Sequence, residues 1–391
     1  MQIMSEKLVK SVRIAIFAPS YPPAFLGGGP VRTLEALVKA CPSSVKLSVL
    51  APDRDIDGSD LNVASNTWTR ESGIDLLYAP IHSLRGLWAS CRKLRSTRPS
   101  VVYLNSFFNP RMSIFPQVLA KVGFWRGASV LLAPRGEFGQ GALETKKLKK
   151  KAYLFLYRLF RLKMRVTWHA SNEIEASNIR RMWGDRADIL VREDETNLPQ
   201  IPSAPGRTDG QMRAVFLGRL VRHKGLLTVI QALEASDAPM SVDVYGPEED
   251  ESYARECKTA AAGCPSNIVF TFHGAIPPES SRDILSQYDV LLMPTRGENF
   301  GHVIAEALSV SCPVICSAET QWTEVLTHGG GAIVASNEPL EWRNTIERFA
   351  LATPEVRMLY RLHAGMAYAR WRDESKGPHV LSMMLESLVR I

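Results

Sequence analysis

The sequence predicts an α/β protein of two Rossmann-like, doubly wound lobes. Short apolar runs alternate with helix-period stretches along most of its 391 residues, the pattern of a parallel sheet with crossover helices. Near mid-chain, residues 199–210 are rich in proline, glycine and polar side chains and read as a linker. Glycine-containing turns recur where apolar runs end, and open α/β sheets bind ligands beyond the carboxyl ends of their strands.

In the first lobe, strands are expected over 12–18, 45–51, 76–79, 101–104, 130–133, 166–170 and 189–191, with helices between them such as 31–39 and 86–96. A second series has strands over 214–217, 241–245, 268–273, 290–293, 314–316 and 332–334. The expected division assigns 1–200 to the first lobe and 201–365 to the second.

Apolar content of 45% is ample for packed cores and argues against wholesale disorder. No run approaches the ~20 apolar residues of a membrane span, and the first twenty residues lack a secretory pattern. Six scattered cysteines form no CxxC pair, which favours reduced thiols in a cytosolic protein over zinc sites or disulfides. Asp53-Arg54-Asp55 spells a DxD triplet, but such triplets arise readily by chance. The net charge of +7 conceals an asymmetry. From Arg85 to Arg165 there are 18 Lys and Arg against two acidic residues, Glu137 and Glu144, a balance of +16 that leaves −9 elsewhere. A basic surface of this kind favours an anionic partner.

The most informative run is Gly297-Glu298-Asn299-Phe300-Gly301-His302-Val303-Ile304-Ala305-Glu306-Ala307-Leu308. It follows the apolar run 290–293 and passes into a helix pattern after Gly301, giving strand, loop and helix start. A helix start offers free N–H groups and a positive dipole end, hence an anion site. Glu298 and Glu306, eight positions apart, span at most ~12 Å by helical rise. A ligand with a central diphosphate and a hydroxylated ring at each end, such as a nucleotide-sugar, suits that span. Two readings of the glutamates are open. Each anchors a diol through charge-assisted hydrogen bonds, or each merely complements the helix dipole.

The run GENFGHVIAEAL, followed by Cys312-Pro313-Val314-Ile315, resembles the donor-site signature of retaining family 4 glycosyltransferases, and the subgroup that builds bacterial surface polysaccharides in particular. Further matches are Gly27-Gly28-Gly29-Pro30, Pro134-Arg135-Gly136-Glu137, Trp168-His169-Ala170-Ser171, Phe216-Leu217-Gly218-Arg219 with Lys224-Gly225, and Val244-Tyr245-Gly246-Pro247. The resemblance implies the GT-B fold, two lobes with a cleft between them. It also implies that a last helix, over about 366–391, crosses back to the first lobe.

By resemblance, Glu298 reaches the donor sugar and Glu306 the ribose, while Arg219 and Lys224 offset the diphosphate. Gly218, Asn299, Phe300 and Gly301 belong to the donor site, and the Gly28-Gly29 loop closes over it. Arg135, Glu137 and His169 face the acceptor side. For Glu137 an exposed ion pair, and for His169 a satisfied core histidine, are equally open. The nucleotide-sugar is a co-substrate, no cofactor is implied, and positive side chains with a helix dipole stand in for a metal ion. The mechanism implied is retaining transfer to a glycan or lipid-linked acceptor. The chain departs from the pattern at Ser311 (usually glycine), at Ala318 (often aspartate) and over 192–199.

The segment that opens at Lys146 and closes at Arg165 joins helical pattern, basic charge and aromatics. Leu148, Ala152, Phe155, Leu159 and Leu162 make one apolar face, and Lys147, Lys151, Arg158, Arg161 and Arg165 lie elsewhere. Such a helix suits an anionic membrane surface; an ordinary packed helix with a solvated basic face is the alternative. No recognised motif for nucleic acid accompanies the charge. The leading expectation is a cytoplasmic, peripheral-membrane glycosyltransferase using a UDP- or GDP-sugar. The rivals are a sugar-nucleotide epimerase of the same fold, a soluble small-acceptor transferase, and a catalytically silent membrane or nucleic-acid binding module.

Overall fold

The computed structural model describes residues 12–139, 142–143, 147–160, 162, 166–206, 209–318 and 320–389. The chain divides into two compact units, Met1–Asn197 with Gly377–Ile391, and Leu198–Lys376. The helix Pro354–Glu374 therefore belongs to the second unit, and only the final helix, Val380–Val389, belongs to the first.

The first unit holds strands β1 (Val12–Phe17), β2 (Val45–Pro52), β3 (Trp68–Glu71), β4 (Ile74–Ala79), β5 (Val101–Asn105), β6 (Ser129–Ala133), β7 (Val166–Ala170) and β8 (Ile189–Val191). Their order is β3-β4-β2-β1-β5-β6-β7-β8. All pairs are parallel except β3 with β4. The periodicity missed β3, an edge strand of intermediate and exposed residues with no apolar run. Helices α2 (Leu84–Ser96), α3 (Phe115–Lys121), α4 (Lys147–Leu159) and α5 (Glu173–Trp183) supply Leu87, Leu119, Tyr157 and Ile179 to one core layer. Helix α1 (Gly29–Lys39) and the C-terminal helix supply Leu34 and Leu381 to the other.

The second unit is an all-parallel sheet of β9 (Met212–Leu217), β10 (Met240–Tyr245), β11 (Ile268–Gly274), β12 (Val290–Met293), β13 (Val314–Ser317) and β14 (Gly331–Val334). The crossovers after β9, β10 and β11 carry α6 (Leu226–Leu233), α7 (Glu251–Ala262) and α8 (Ser281–Leu285). Its order, β11-β10-β9-β12-β13-β14, reverses direction between β9 and β12. That reversal is the topological switch point, where neighbouring crossovers part and leave a crevice beyond the strand ends. The turns after β9 and β12 carry Lys224 and Glu298.

In the turn after Ser309, Ser311 adopts φ 56, the left-handed region that explains why glycine is usual there. Its hydroxyl donates to the Ser203 carbonyl at 2.7 Å, a bond glycine lacks.

Candidate functional site

The β9 turn runs through Gly218 into the short 3-10 turn Arg222–Lys224 and ends at Gly225. Gly225 has φ 73, and a Cβ there would lie 1.9 Å from the Pro294 carbonyl oxygen. Only glycine lets this backbone come so close to the loop after β12. The two loops are also tied directly. The Arg296 N–H donates to the His223 carbonyl at 2.8 Å. The Ser317 hydroxyl, from β13, donates to the Thr295 carbonyl.

This stitching brings Lys224 and Glu298 into an ion pair, with side chains 14% and 11% exposed. Arg219 goes elsewhere: it pairs with Glu249 at 2.7 Å, with its side chain 42% exposed. The two cations that the sequence groups together thus serve different carboxylates. His223, between them, has its pKa lowered by burial and by the neighbouring Lys224 and Arg219 charges.

Gly301, at φ 81, is the N-cap of α9 (His302–Ser309). The loop carbonyl just before it, on Phe300, accepts from Trp322 Nε1 and from Gln321 Nε2. The Phe300 ring is 2% exposed and packs on Trp322 and Trp371. Its side chain is therefore core, and any part it has in ligand binding is through its backbone. Trp322 and Gln321 are members of this loop's support that sequence reasoning missed. They lie outside the motif, and no periodicity points to them. Glu306 sits beyond the first turn of α9 and is 7% exposed. Dipole effects fall off within the first turn, so the dipole reading loses force there.

In the first unit, Gly28 caps α1 and its N–H donates to the Phe25 carbonyl at 3.1 Å. Asp55 steadies the preceding loop by accepting from the Phe25 and Ile56 N–H groups at 3.1 and 2.7 Å. Asp53 accepts from the Ser65 hydroxyl at 2.6 Å. Both carboxylates of the DxD triplet thus carry local hydrogen bonds.

The expected acceptor-side residues need correction. His169 is 1% exposed, with Nδ1 2.6 Å from the Tyr103 hydroxyl and Nε2 2.9 Å from the Arg192 carbonyl. Burial, reinforced by the Arg135 charge, pulls its pKa down to about 4. It is a satisfied core histidine. Arg135 forms a buried ion pair with Asp194 and donates to Tyr103 and Asn105 at 2.9 and 2.8 Å. Glu137 accepts from the Ser106 hydroxyl and the Phe107 and Phe108 N–H groups at 2.6–2.8 Å; burial raises its pKa. These groups organise the strand ends of the first unit. Asp194, in the stretch where the chain departs from its relatives' pattern, is the counter-ion that holds Arg135.

The basic segment is also corrected. Lys146, Arg161, Lys163, Met164 and Arg165 lie outside the described residues. On α4, Leu148, Ala152, Phe155 and Leu159 face solvent, while Tyr153, Leu154 and Tyr157 pack inward. Lys150 is drawn inward, onto the Ala142 carbonyl and over the Phe108 ring.

Two Rossmann-like sheets, parallel but for the β3 edge strand, with a glycine-stitched switch point beside a helix start in the second, match the GT-B class of glycosyltransferase folds. Residues 199–360, most of the second unit, match the family model for glycosyl transferases group 1. The chain is 29% identical over 197 residues to D-inositol 3-phosphate glycosyltransferase of Xylanimonas cellulosilytica, covering 45% of this chain and 46% of that protein. It is 33% identical over 108 residues to the putative teichuronic acid biosynthesis glycosyltransferase TuaC of Bacillus subtilis, covering 27% of this chain and 25% of TuaC. The matches thus span less than half the length of these curated relatives. The fold matches Anabaena HepE, solved with UDP and glucose, at TM-score 0.68 and 15% identity over 97% of this chain and 100% of that one.

Proposed function

We propose that the protein is a retaining glycosyltransferase that moves a sugar from a UDP- or GDP-sugar to a glycan or lipid-linked acceptor. The observation that carries this is the Lys224–Glu298 pair beside the capped start of α9, inside the segment that matches the family model. Lys224 is held where a positive charge meets a diphosphate, and the N–H groups of the helix start add to it. Glu298 then receives hydroxyls of the donor sugar and Glu306 those of the ribose. The acceptor hydroxyl attacks the anomeric carbon on the leaving-group side. The bond to the diphosphate oxygen breaks, preorganised positive charge stabilises the departing anion, and that anion's oxygen takes up the proton of the acceptor hydroxyl.

Surface-polysaccharide synthesis is suggested by the teichuronic acid biosynthesis role in which TuaC is placed, and the nucleotide donor by the UDP bound to HepE. The proposed setting is the cytoplasmic face of a membrane, and the proposed reaction needs no metal ion. A thermal-shift screen of nucleotide-sugars tests the reading. A ligand at a hundred times its dissociation constant adds about 2.7 kcal/mol of stability, which a melting curve resolves. Transfer is then measured with and without EDTA, with full activity expected in both. No shift with any UDP- or GDP-sugar overturns the donor assignment; loss in EDTA restored by Mg²⁺ overturns the metal-free mechanism.

A further inference from the structure

The first unit carries an exposed apolar surface that donor chemistry does not use. On α4 the stripe of Leu148, Phe155 and Leu159 is 84%, 65% and 61% exposed. These residues recur at helical spacing, so one side of the helix is apolar and, among the described residues, exposed, while Tyr153 and Tyr157 hold the other side to the core. The stripe does not stop at α4. The Lys121 ammonium, at the end of α3, donates to the Phe160 carbonyl at 2.5 Å, and Tyr157 donates to Gln117 of α3 at 2.7 Å. Val118 on this neighbouring helix and Val122, the residue that caps its C-terminal end, are exposed. Beyond it, Trp88 of α2 packs on Phe115 and Phe124 and still leaves 43% of its surface in solvent. All three helices cover the same core layer of the sheet, so these residues share one side of the unit.

Charge identifies the partner. Exposed cations on and around these elements include Arg85, Arg92, Lys121, Arg126, Lys149 and Lys151. The described carboxylate between positions 85 and 160 is Glu137, which is turned onto Ser106 and backbone N–H groups. A nucleic acid would use the cations and leave the aliphatic stripe in water. An acidic protein would need no bare Leu and Phe residues on α4 continued by valines at α3 and a half-exposed tryptophan on α2. A bilayer with anionic headgroups satisfies both, with phosphates for the cations and an acyl boundary for the rings and aliphatic chains.

We propose that α2, α3 and α4 together form a docking face for an anionic membrane surface. This extends the membrane setting suggested above from one basic helix to a three-element face, and it is independent of the donor site. The test uses the full-length protein and vesicles of phosphatidylcholine alone or mixed with phosphatidylglycerol. Co-sedimentation is expected with the mixed vesicles and not with the neutral ones. It should weaken at least tenfold in Phe155→Ser/Leu159→Ser, in Lys149→Glu/Lys151→Glu, and in Val122→Asp at the C-terminal end of α3. These are surface positions, so melting temperature should stay near that of the unaltered protein, and nucleotide-sugar binding is measured alongside as an independent readout. Equal capture by neutral and anionic vesicles, or none by either, overturns the proposal. Binding that the charge variant abolishes but the two apolar variants leave intact overturns it in favour of a plain polyanion contact. Loss in Phe155→Ser/Leu159→Ser with none in Val122→Asp overturns the composite face.

Discussion

Lys224 and Glu298 are 74 positions apart in sequence and form an ion pair at the strand-order reversal of the second unit. The pair sets Lys224 in place before any ligand arrives and leaves the carboxylate beside the start of α9. Replacing Glu298 by Gln should preserve shape and remove the charge. Transfer should fall about a hundredfold, near 2.7 kcal/mol, while UDP or GDP binding changes less than about tenfold. Isothermal titration and initial rates measure the two separately. A nucleotide affinity loss as large as the rate loss would refute the sugar-side role.

Glu306→Ala should do the opposite. Losing charge-assisted bonds to the ribose costs about 1.5–3 kcal/mol, so affinity for the preferred nucleotide should drop roughly ten- to a hundredfold. Unchanged affinity removes Glu306 from the nucleotide site.

Gly225→Ala should damage both stability and the site. Its Cβ would collide with the Pro294 carbonyl, and φ 73 disfavours any side chain. Backbone strain of this kind costs about 1–3 kcal/mol. Urea unfolding should show that loss together with weakened nucleotide-sugar binding, because the collision pushes apart the loops that carry Lys224 and Glu298. Normal stability would mean that the loops are more compliant than their contacts imply.

Arg135→Met should destabilise the protein by about 3–5 kcal/mol, since it strands Asp194 as a buried charge. Adding Asp194→Leu should recover part of that loss. An additive double variant would show that the two side chains are not energetically coupled.

His169 should make stability fall with acid. Its folded pKa, about 4, lies below the ordinary 6.5. The unfolded chain therefore takes up a proton first as pH drops. The stability this residue contributes is full above about pH 6.5 and is lost as pH falls toward 4, by about 2 kcal/mol already at pH 5. His169→Gln should show a shallower decline between pH 7 and 5 in urea unfolding. Parallel curves would contradict a neutral buried imidazole.

Much of the fold was legible because the buried strands of both units are short, nearly continuous apolar runs, and burial on both faces of a parallel sheet demands that composition. β3 was not legible, because an exposed edge strand has no such demand. The loops holding Lys224, Glu298 and Gly301 could be read from glycine placement. The support given by Trp322 and Gln321 to the Phe300 carbonyl could not, since it joins two loops through a tertiary contact.

Sequence alone determined the alternation of strand and helix, the linker stretch, the uneven charge, and the apolar stripe on α4. Tertiary structure decided which way each of these faces. The period of α4 was readable, yet its conspicuous stripe turned out to be the solvent side, with Tyr153, Leu154 and Tyr157 facing the core. The same holds for polar groups. Arg135 read as a strand-end residue facing the acceptor, and His169 equally as that or as a satisfied core histidine; Asp194, Tyr103 and the Arg192 carbonyl satisfy both internally. Periodicity encodes which residues share a face. What lies opposite that face is set by distant segments, and neither a partner for a charge nor a cover for an apolar stripe can be counted along the chain.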